Sequence, residues 1–435
     1  MMINAEVRLW GKTIGAVSWN RESKIAHFEY DSLFRDSGIE VAPIMMPLSD
    51  RIHSFGALSR DTFHGLPGLL ADSLPDDFGN ALIDSWLAKE GKDPKDFNPV
   101  ERLCYIGTRG MGALEYAPAK NLKKAKSSKV EIGALVKLAS EILAKRKNLK
   151  GSFEAPARED TLNNILQVGT SAGGARAKAI VAWNPEKNEV RSGQIEAGEG
   201  FTYWLLKFDG VAGNKDKEQE DPKGYGLIEY AYYKMALEAG ISMPECRLLK
   251  ENGRNHFMAK RFDRDPTGEK IHLQSLGAIM HFDYRQPGGH SYEEALLTIR
   301  DLGISMNSIE EQYRRMAFNV ISRNQDDHVK NISFLMDKAG QWSLSPAYDM
   351  TYSYNPSGVW TGTHQMTLNG KREAFNLADF KKCAANVSMK KTRVNEIIEE
   401  VQIAVGRWED FASDAGIPIS TSRRIGKTHI TNILN

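Results

Sequence analysis

Arg323-Asn324-Gln325-Asp326-Asp327-His328-Val329-Lys330-Asn331 follows a helical period ending in Phe318-Asn319-Val320-Ile321 and runs into an apolar strand, Ile332-Ser333-Phe334-Leu335-Met336. A turn at Ala339-Gly340, a second strand and then Ser345-Pro346-Ala347-Tyr348-Asp349 complete the unit. Asn331 lies five positions after Asp326, and Asp349 lies 23 positions after Asp326. Piece by piece the unit is ordinary. Asp-Asp-His on a loop reads as a solvated turn, and an acid after a proline reads as the cap of a following helix. Taken together, one amide and two acids stand in register around an apolar hairpin, which neither turn chemistry nor capping requires.

That register has a chemical use. Transfer of a phosphoryl group from ATP needs little covalent help, but it needs metal ions on the phosphates and a carboxylate against the acceptor hydroxyl. Protein kinases meet the need with an Asp base, an Asn five residues on that holds one metal, and a second metal-binding Asp beyond a short hairpin. Asp326, Asn331 and Asp349 fit that spacing, although the residues around them spell neither HRD nor DFG.

Upstream, Gly169-Thr170-Ser171-Ala172-Gly173-Gly174-Ala175-Arg176-Ala177-Lys178 is a loop of small residues leading into the strand Ala179-Ile180-Val181-Ala182-Trp183. Its glycines let backbone N–H groups approach a phosphate closely, and Arg176 and Lys178 add positive charge. The loop is neither GxxxxGK[ST] nor GxGxxG, and it precedes a strand rather than a helix, so it suits the nucleotide loop of a kinase. Lys207, inside the apolar strand Thr202-Tyr203-Trp204-Leu205-Leu206-Lys207-Phe208, is the candidate to pair with phosphates. Glu229, on the next helix, is the candidate ion-pair partner. The plain alternative for Lys207 is an edge-strand lysine with its ammonium in water. Lys260-Arg261-Phe262-Asp263-Arg264, directly after a strand, stands where two kinase lobes hinge and backbone groups meet adenine; charge-rich surface turns look the same.

Composition narrows the remaining choices. Across 435 residues, 57 Lys and Arg against 56 Asp and Glu leave a formal charge of +1, which excludes a whole-chain clamp for nucleic acid or anionic membrane. Cys104, Cys246 and Cys383 are scattered with no CxxC pair, so neither a disulfide framework nor a thiolate zinc site is supported. No HExxH occurs, which leaves zinc hydrolysis without an anchor. The first ten residues alternate like a strand, and no run reaches the roughly 18 apolar residues of a spanning helix, so the expectation is a cytoplasmic chain with no membrane role.

The length suggests two or three domains. Short alternating strands open the chain, including Val7-Arg8-Leu9-Trp10 and Ile25-Ala26-His27-Phe28-Glu29-Tyr30. A helix starts after Pro75, and Gly107 to Tyr116 is a glycine-rich turn entering a strand. The lysine-rich stretch from Pro118 to Lys129 reads as a linker. The charged, glycine-bearing stretch from Val211 to Gly226 reads as a surface loop, and from Ser291 onward the pattern is mostly helical apart from strands near Phe334 and Trp342. The expected architecture is α+β and two-lobed, with a β-rich N-terminal subdomain over 1–120, an α/β nucleotide-binding lobe over 121–262 and a helical catalytic lobe over 263–435.

The chain resembles the HipA-type serine/threonine kinases, toxin components of bacterial type II toxin–antitoxin modules. The resemblance rests on Asp326-Asp327-His328-Val329-Lys330-Asn331 with Tyr348-Asp349, and on Gly-Leu-Pro-Gly at 65–68 with Ala-Asp-Ser-Leu-Pro at 71–75. It implies a protein-kinase-like fold, Asp326 as base, Asn331 and Asp349 as Mg²⁺ ligands, and His328, Lys330 and Tyr348 near the ATP. It also implies that the loop bears an autophosphorylated serine. Ser171 matches its position, Thr170 offers a competing hydroxyl, and Arg176-Ala177 stands where family members carry Gln-Glu. A phosphate of about −2 charge there would repel the phosphates of ATP and inactivate the enzyme. The implied partners are a helix-turn-helix antitoxin, operator DNA only through it, and an aminoacyl-tRNA synthetase, chiefly the glutamyl enzyme, as substrate. A small-molecule kinase on a related scaffold and a catalytically vestigial partner-binding subunit remain as alternative readings.

Overall fold

The computed structural model describes residues 3–119, 130–145, 176–194, 197–211, 215–216, 219–220 and 224–434. Strands β1 (Ile3–Leu9), β2 (Lys12–Asn20) and β3 (Ile25–Tyr30) form a meander, and β4 (Leu114–Ala117) returns along β1 to give the antiparallel order β3-β2-β1-β4. Val17, Trp19 and Phe28 alternate inward onto Phe63, Leu69, Leu70 and Leu103, which is the burial that a period of two predicts. Gly15 is fixed by crowding, since a Cβ there would lie 2.3 Å from the carbonyl oxygen of Glu29. The helix Asp77–Lys89 opens after Pro75, with the Asp76 side chain accepting from Gly79 N at 2.6 Å as its N-cap.

A five-stranded antiparallel sheet follows. It is built from β5 (Lys178–Asn184), β6 (Glu189–Ser192), β7 (Thr202–Lys207) and, after the two-residue strands β8 (Lys215–Asp216) and β9 (Gln219–Glu220), from β10 (Cys246–Glu251) and β11 (Arg254–Lys260). The order is β10-β11-β7-β5-β6, with the helix Tyr225–Glu238 preceding β10 in the chain. One core joins Ala179, Val181, Trp204, Leu206 and Met258 of this sheet to Leu135 and Val136 of the helix Ile132–Lys145. Phe78 and Leu82 of the helix Asp77–Lys89 enter the same core, so a helix from the first 120 residues packs beneath the sheet.

The rest of the chain gathers around the helix Met306–Ser322, whose Met316, Phe318, Val320 and Ile321 are fully buried against Val394, Ile397, Ile398 and Val401 of the helix Lys391–Gly406. Strands β12 (His272–Ser275), β13 (Ser333–Met336) and β14 (Trp342–Leu344) make a small antiparallel sheet under the cleft. Two differences from the sequence reading stand out. The stretch from Val211 to Gly226 contains the ribbon β8-β9 and the start of a helix. Residues 345–376, expected within a mostly helical lobe, contain no helix and no strand longer than an isolated bridge. Pro346, Pro356, Gly358, Gly362 and Gly370 interrupt any helical period there, and the segment is instead held by side-chain hydrogen bonds. Among the described residues no helix is long and apolar enough to cross a membrane.

Candidate active site

Lys207 is the last residue of β7 and is the register partner of Lys178, the first residue of β5. Its Nζ donates both to Glu229 Oε1, on the helix Tyr225–Glu238, and to Asp349 Oδ1, from the far side of the cleft. Glu229 also accepts from Arg176 Nη1 at 3.2 Å, and the Arg176 guanidinium lies over the Tyr225 ring, 4.2 Å from its centroid. Burial works against the charge on Lys207; Asp349 and Glu229 outweigh it and push its pKa up, so the group stays an ammonium. For Asp349, desolvation raises the pKa, but Lys207, helped by Lys178, overcomes it and holds the carboxyl well below the usual range. Asp349 adopts a left-handed backbone, φ 54°, and its carbonyl oxygen accepts from Asn324 Nδ2 at 3.3 Å.

The opposite wall starts where the helix Met306–Ser322 ends on Arg323 in the left-handed region, φ 62°, with its N–H bonded to Asn319 O. The two adjacent acids that follow diverge. The Asp327 side chain is 1% exposed. It accepts from Tyr292 Oη at 2.6 Å and from Gln365 N at 2.8 Å, and His364 Nδ1 lies 2.7 Å away. A carboxylate can only accept, which puts the proton on His364 Nδ1. Asn319 Nδ2 donates to Tyr292 Oη and Asn324 Nδ2 to Asn319 Oδ1, extending the network into the helix. Asp326 is 19% exposed at its side chain, with Oδ1 3.6 Å from His328 Nε2. Trp360 Nε1 donates to the same Oδ1 at 3.0 Å. Asn331 Nδ2 donates to Asp326 O at 2.8 Å, so the amide oxygen of Asn331 is the atom it can offer a cation. Tyr348 Oη donates to Lys330 O at 2.6 Å, tying the segment after β14 to this loop.

Tyr348, His328, Asn331 and Asp349 line one narrow cleft. Phe262 reaches it as well, 5.7 Å from the Tyr348 ring between centroids. Neighbouring hinge residues are engaged differently. Lys260 N donates to Glu245 O, and the Arg261 side chain binds Asp263 through Nε at 2.8 Å and Nη2 at 2.6 Å. Burial would raise the pKa of Asp263, and Arg261 with Arg264 holds it far below the carboxylate range instead. The Arg261 N–H is engaged as well, donating to Tyr203 O at 2.9 Å. Lys178, read as a phosphate residue, has its Nζ 3.3 Å from Asp76 Oδ2. Ala177 is buried and its carbonyl accepts from Phe208 N. Thr170, Ser171, Ala172, Gly173, Gly174 and Ala175 lie outside the described residues.

Among the described residues no group of three or more His, Cys, Asp and Glu could hold a metal by itself. Asp349 offers an ionised carboxylate and Asn331 an amide oxygen, hard oxygen donors of the kind that suit a cation completing its shell with phosphate oxygens and water. The spacing reading missed Asp72, Asp76, Trp360, His364 and Gln365. Asp72 lies in the Ala-Asp-Ser-Leu-Pro stretch, but no local pattern ties any of them to the site, because each meets it through the fold.

The profile of the HipA N-terminal domain matches residues 5–117, and that of the HipA-like C-terminal domain matches residues 170–408. A Haemophilus influenzae protein named "Putative kinase" is 29% identical over 144 residues, 29% of this chain and 42% of that protein. Sinorhizobium fredii "Putative kinase Y4mE" is 24% identical over 206 residues, 43% of this chain and 49% of that protein. The chain therefore spans less than half the length of these curated relatives. Among solved structures, Shewanella oneidensis HipA, in a complex with HipB and its operator DNA, superposes with a TM-score of 0.67 at 14% identity, covering 97% of this chain and 95% of that one. The α+β, two-lobed architecture is that of HipA.

Proposed function

The chain belongs to the HipA family, and on that premise we propose that it is an ATP-dependent serine/threonine protein kinase acting as the toxin of a toxin–antitoxin pair. One observation carries the reading: Lys207 joins Glu229 of the upper lobe to Asp349 of the lower lobe. This cross-cleft contact places an obligatory ammonium beside an obligatory carboxylate, which is what the phosphates of a nucleotide and their counter-cation require. Lys207 neutralises phosphate charge and Glu229 fixes its position. Asp326 orients the acceptor hydroxyl and takes its proton at the carboxylate, while Asn331 bonds the backbone of Asp326 and so sets the loop. Asp349 and Asn331 are the residues to hold Mg²⁺, which when bound spreads the charge developing on the transferred phosphoryl group.

The finer reading rests on the family. It comprises Ser171 (alternatively Thr170) as the autophosphorylated and inactivating site, an aminoacyl-tRNA synthetase, most of all the glutamyl enzyme, as substrate, and a helix-turn-helix antitoxin as partner. The S. oneidensis complex supports such a partner by analogy. The test is mass spectrometry of the full chain after incubation with ATP and Mg²⁺, alone and with a candidate synthetase, using Asp326→Ala as control. The expected result is phosphate on Ser171 and on the synthetase with the unaltered chain only. Labelling that survives Asp326→Ala, or ATP consumed with phosphate on a small molecule alone, refutes it.

A further inference from the structure

The segment Asp72-Ser73-Leu74-Pro75-Asp76 joins the short helix Gly68–Ala71 to the helix Asp77–Lys89, and both of its acids leave their own neighbourhood. Asp76 uses Oδ1 to cap its helix at Gly79 N, and its Oδ2 lies 3.3 Å from Lys178 Nζ, both side chains nearly sealed from water at 5% and 3% exposure. Asp72 accepts from Ser275 N at 2.7 Å and Ser275 Oγ at 2.8 Å, and its Oδ1 lies 3.9 Å from Lys330 Nζ on the catalytic loop. The segment is tethered by Ser73, whose Oγ accepts from Tyr116 Oη at 2.7 Å on β4. Lys178 opens the strand that follows the small-residue loop and is paired in register with Lys207. Lys330 stands one residue before Asn331. Two lysines flanking the cleft, one from each lobe, therefore face carboxylates four residues apart in a third part of the chain.

An ammonium sealed from water beside a second ammonium is unfavourable without a counterion. Lys207 has Glu229 and Asp349; Asp76 does the same for Lys178. We infer that Asp72 and Asp76 form a clasp that positions Lys330 and Lys178 across the nucleotide cleft, which makes the N-terminal region a working part of the site. This rests on the kinase reading above. It assigns both acids as positioning residues, because neither reaches the reacting atoms itself.

Asp76→Asn is the sharp variant, since Asn caps helices as well as Asp and only the charge is lost. In the full chain, Asp76→Asn should weaken binding of Mg·ADP and raise KM for ATP by about tenfold, with a smaller change in kcat. Asp72→Asn should raise KM by a few fold, because Lys330 is a third exposed at 34%. Asp76→Glu should restore part of the loss. Asp84→Asn, on the helix that Asp76 caps, breaks a pair with Arg102 of the helix Pro99–Ile106 and should leave KM unchanged. A purely structural role would lower the melting temperature and the active fraction of all three Asn variants and leave KM alone, which overturns the clasp. Tighter nucleotide binding by Asp76→Asn also overturns it, showing that Asp76 masks Lys178. If Asp76→Asn fails to fold, unchanged KM and Mg·ADP affinity in Asp72→Asn decides against the clasp. Absence of Mg·ADP binding by the unaltered chain overturns the kinase reading and the clasp together, whereas binding that is lost in Lys207→Met and kept in both clasp variants overturns the clasp alone.

Discussion

The two walls of the cleft are held by different physics. On the upper wall Arg176, Lys178 and Lys207 meet carboxylates drawn from three distant places, Glu229, Asp349 and Asp76. On the lower wall Asp327 is held by a tyrosine, a histidine and a backbone amide, and the tyrosine is held in turn by Asn319, which Asn324 holds. An ion pair can exchange one anion for another, so an incoming phosphate can replace a carboxylate on Lys207 without stranding a donor. The Asp327 network cannot exchange anything; moving it orphans several buried groups at once. The upper wall is therefore suited to binding and release, and the lower wall to holding Asp326 and Asn331, the proposed base and metal ligand, still.

The largest effect should come where the walls meet. Asp326→Ala and Asp349→Ala should each lower phosphoryl transfer by roughly a thousandfold or more while the fold survives, and the double variant should be scarcely worse than either. Radiolabel transfer with a circular-dichroism melt reads both quantities. Robust transfer by either single variant would end the assignment. Next, Lys207→Met should cost roughly a hundredfold, and Glu229→Ala less, because Asp349 still faces the ammonium. An equal loss in both would mean that Glu229 acts on more than Lys207.

The lower wall should answer in stability. Asp327→Asn offers one oxygen where the carboxylate offers two, so at least one of Tyr292, His364 and Gln365 N loses its acceptor. The cost is roughly 1–3 kcal/mol for each stranded donor, seen in chemical denaturation. A variant as stable as the parent would show that the network relaxes, and would blur the contrast between the walls.

A pH series adds a third junction, between the N-terminal region and the catalytic lobe. His281 accepts from Gly68 N at 3.0 Å through Nε2, and burial lowers its pKa from 6.5 to about 4. The unfolded chain therefore takes up a proton here before the folded one does. This contribution to stability is fully present above about 6.5 and is lost as pH falls towards about 4. Asp76 runs the other way, since burial, only partly offset by Lys178, raises it from 3.8 to about 6, and its ionisation opposes folding as pH climbs through that range. In His281→Gln the fall in stability between pH 6.5 and 4 should be shallower; an unchanged slope would place the acid sensitivity elsewhere.

What could be read from the sequence was what is local. Asp326, Asn331 and Asp349 lie within one hairpin unit, and strand alternation marks β1 and β3. The helix after Pro75 announced itself by its cap. The partners of the upper wall are not local: Asp76 meets Lys178 and Glu229 meets Arg176 through packing of separate sheets and helices, which leaves no periodic trace. Lys178 was for that reason read as a phosphate residue alone. Residues 345–376 were misread as part of a helical lobe because their order comes from Gln365, His364 and Trp360 reaching the catalytic loop, and such side-chain anchoring has no period.

The smallest expected effect belongs to Trp360, and it probes the comparison most finely. Its indole N–H donates to Asp326 Oδ1 at 3.0 Å, from the segment that also carries His364 and Gln365. Such a bond has two opposed consequences for a general base. It fixes the carboxylate rotamer, which favours proton abstraction, and it stabilises the charged form, which lowers basicity. Trp360→Phe keeps an aromatic ring and deletes the donor. If orientation dominates, as a still lower wall requires, kcat should fall by about three- to tenfold. KM for ATP should hold, because the upper-wall residues are untouched, and the acid limb of the kcat profile should move to higher pH as the carboxyl becomes more basic. A rise in kcat would mean that Trp360 restrains the base rather than aiming it, and an unmoved acid limb would separate the indole from Asp326 during turnover.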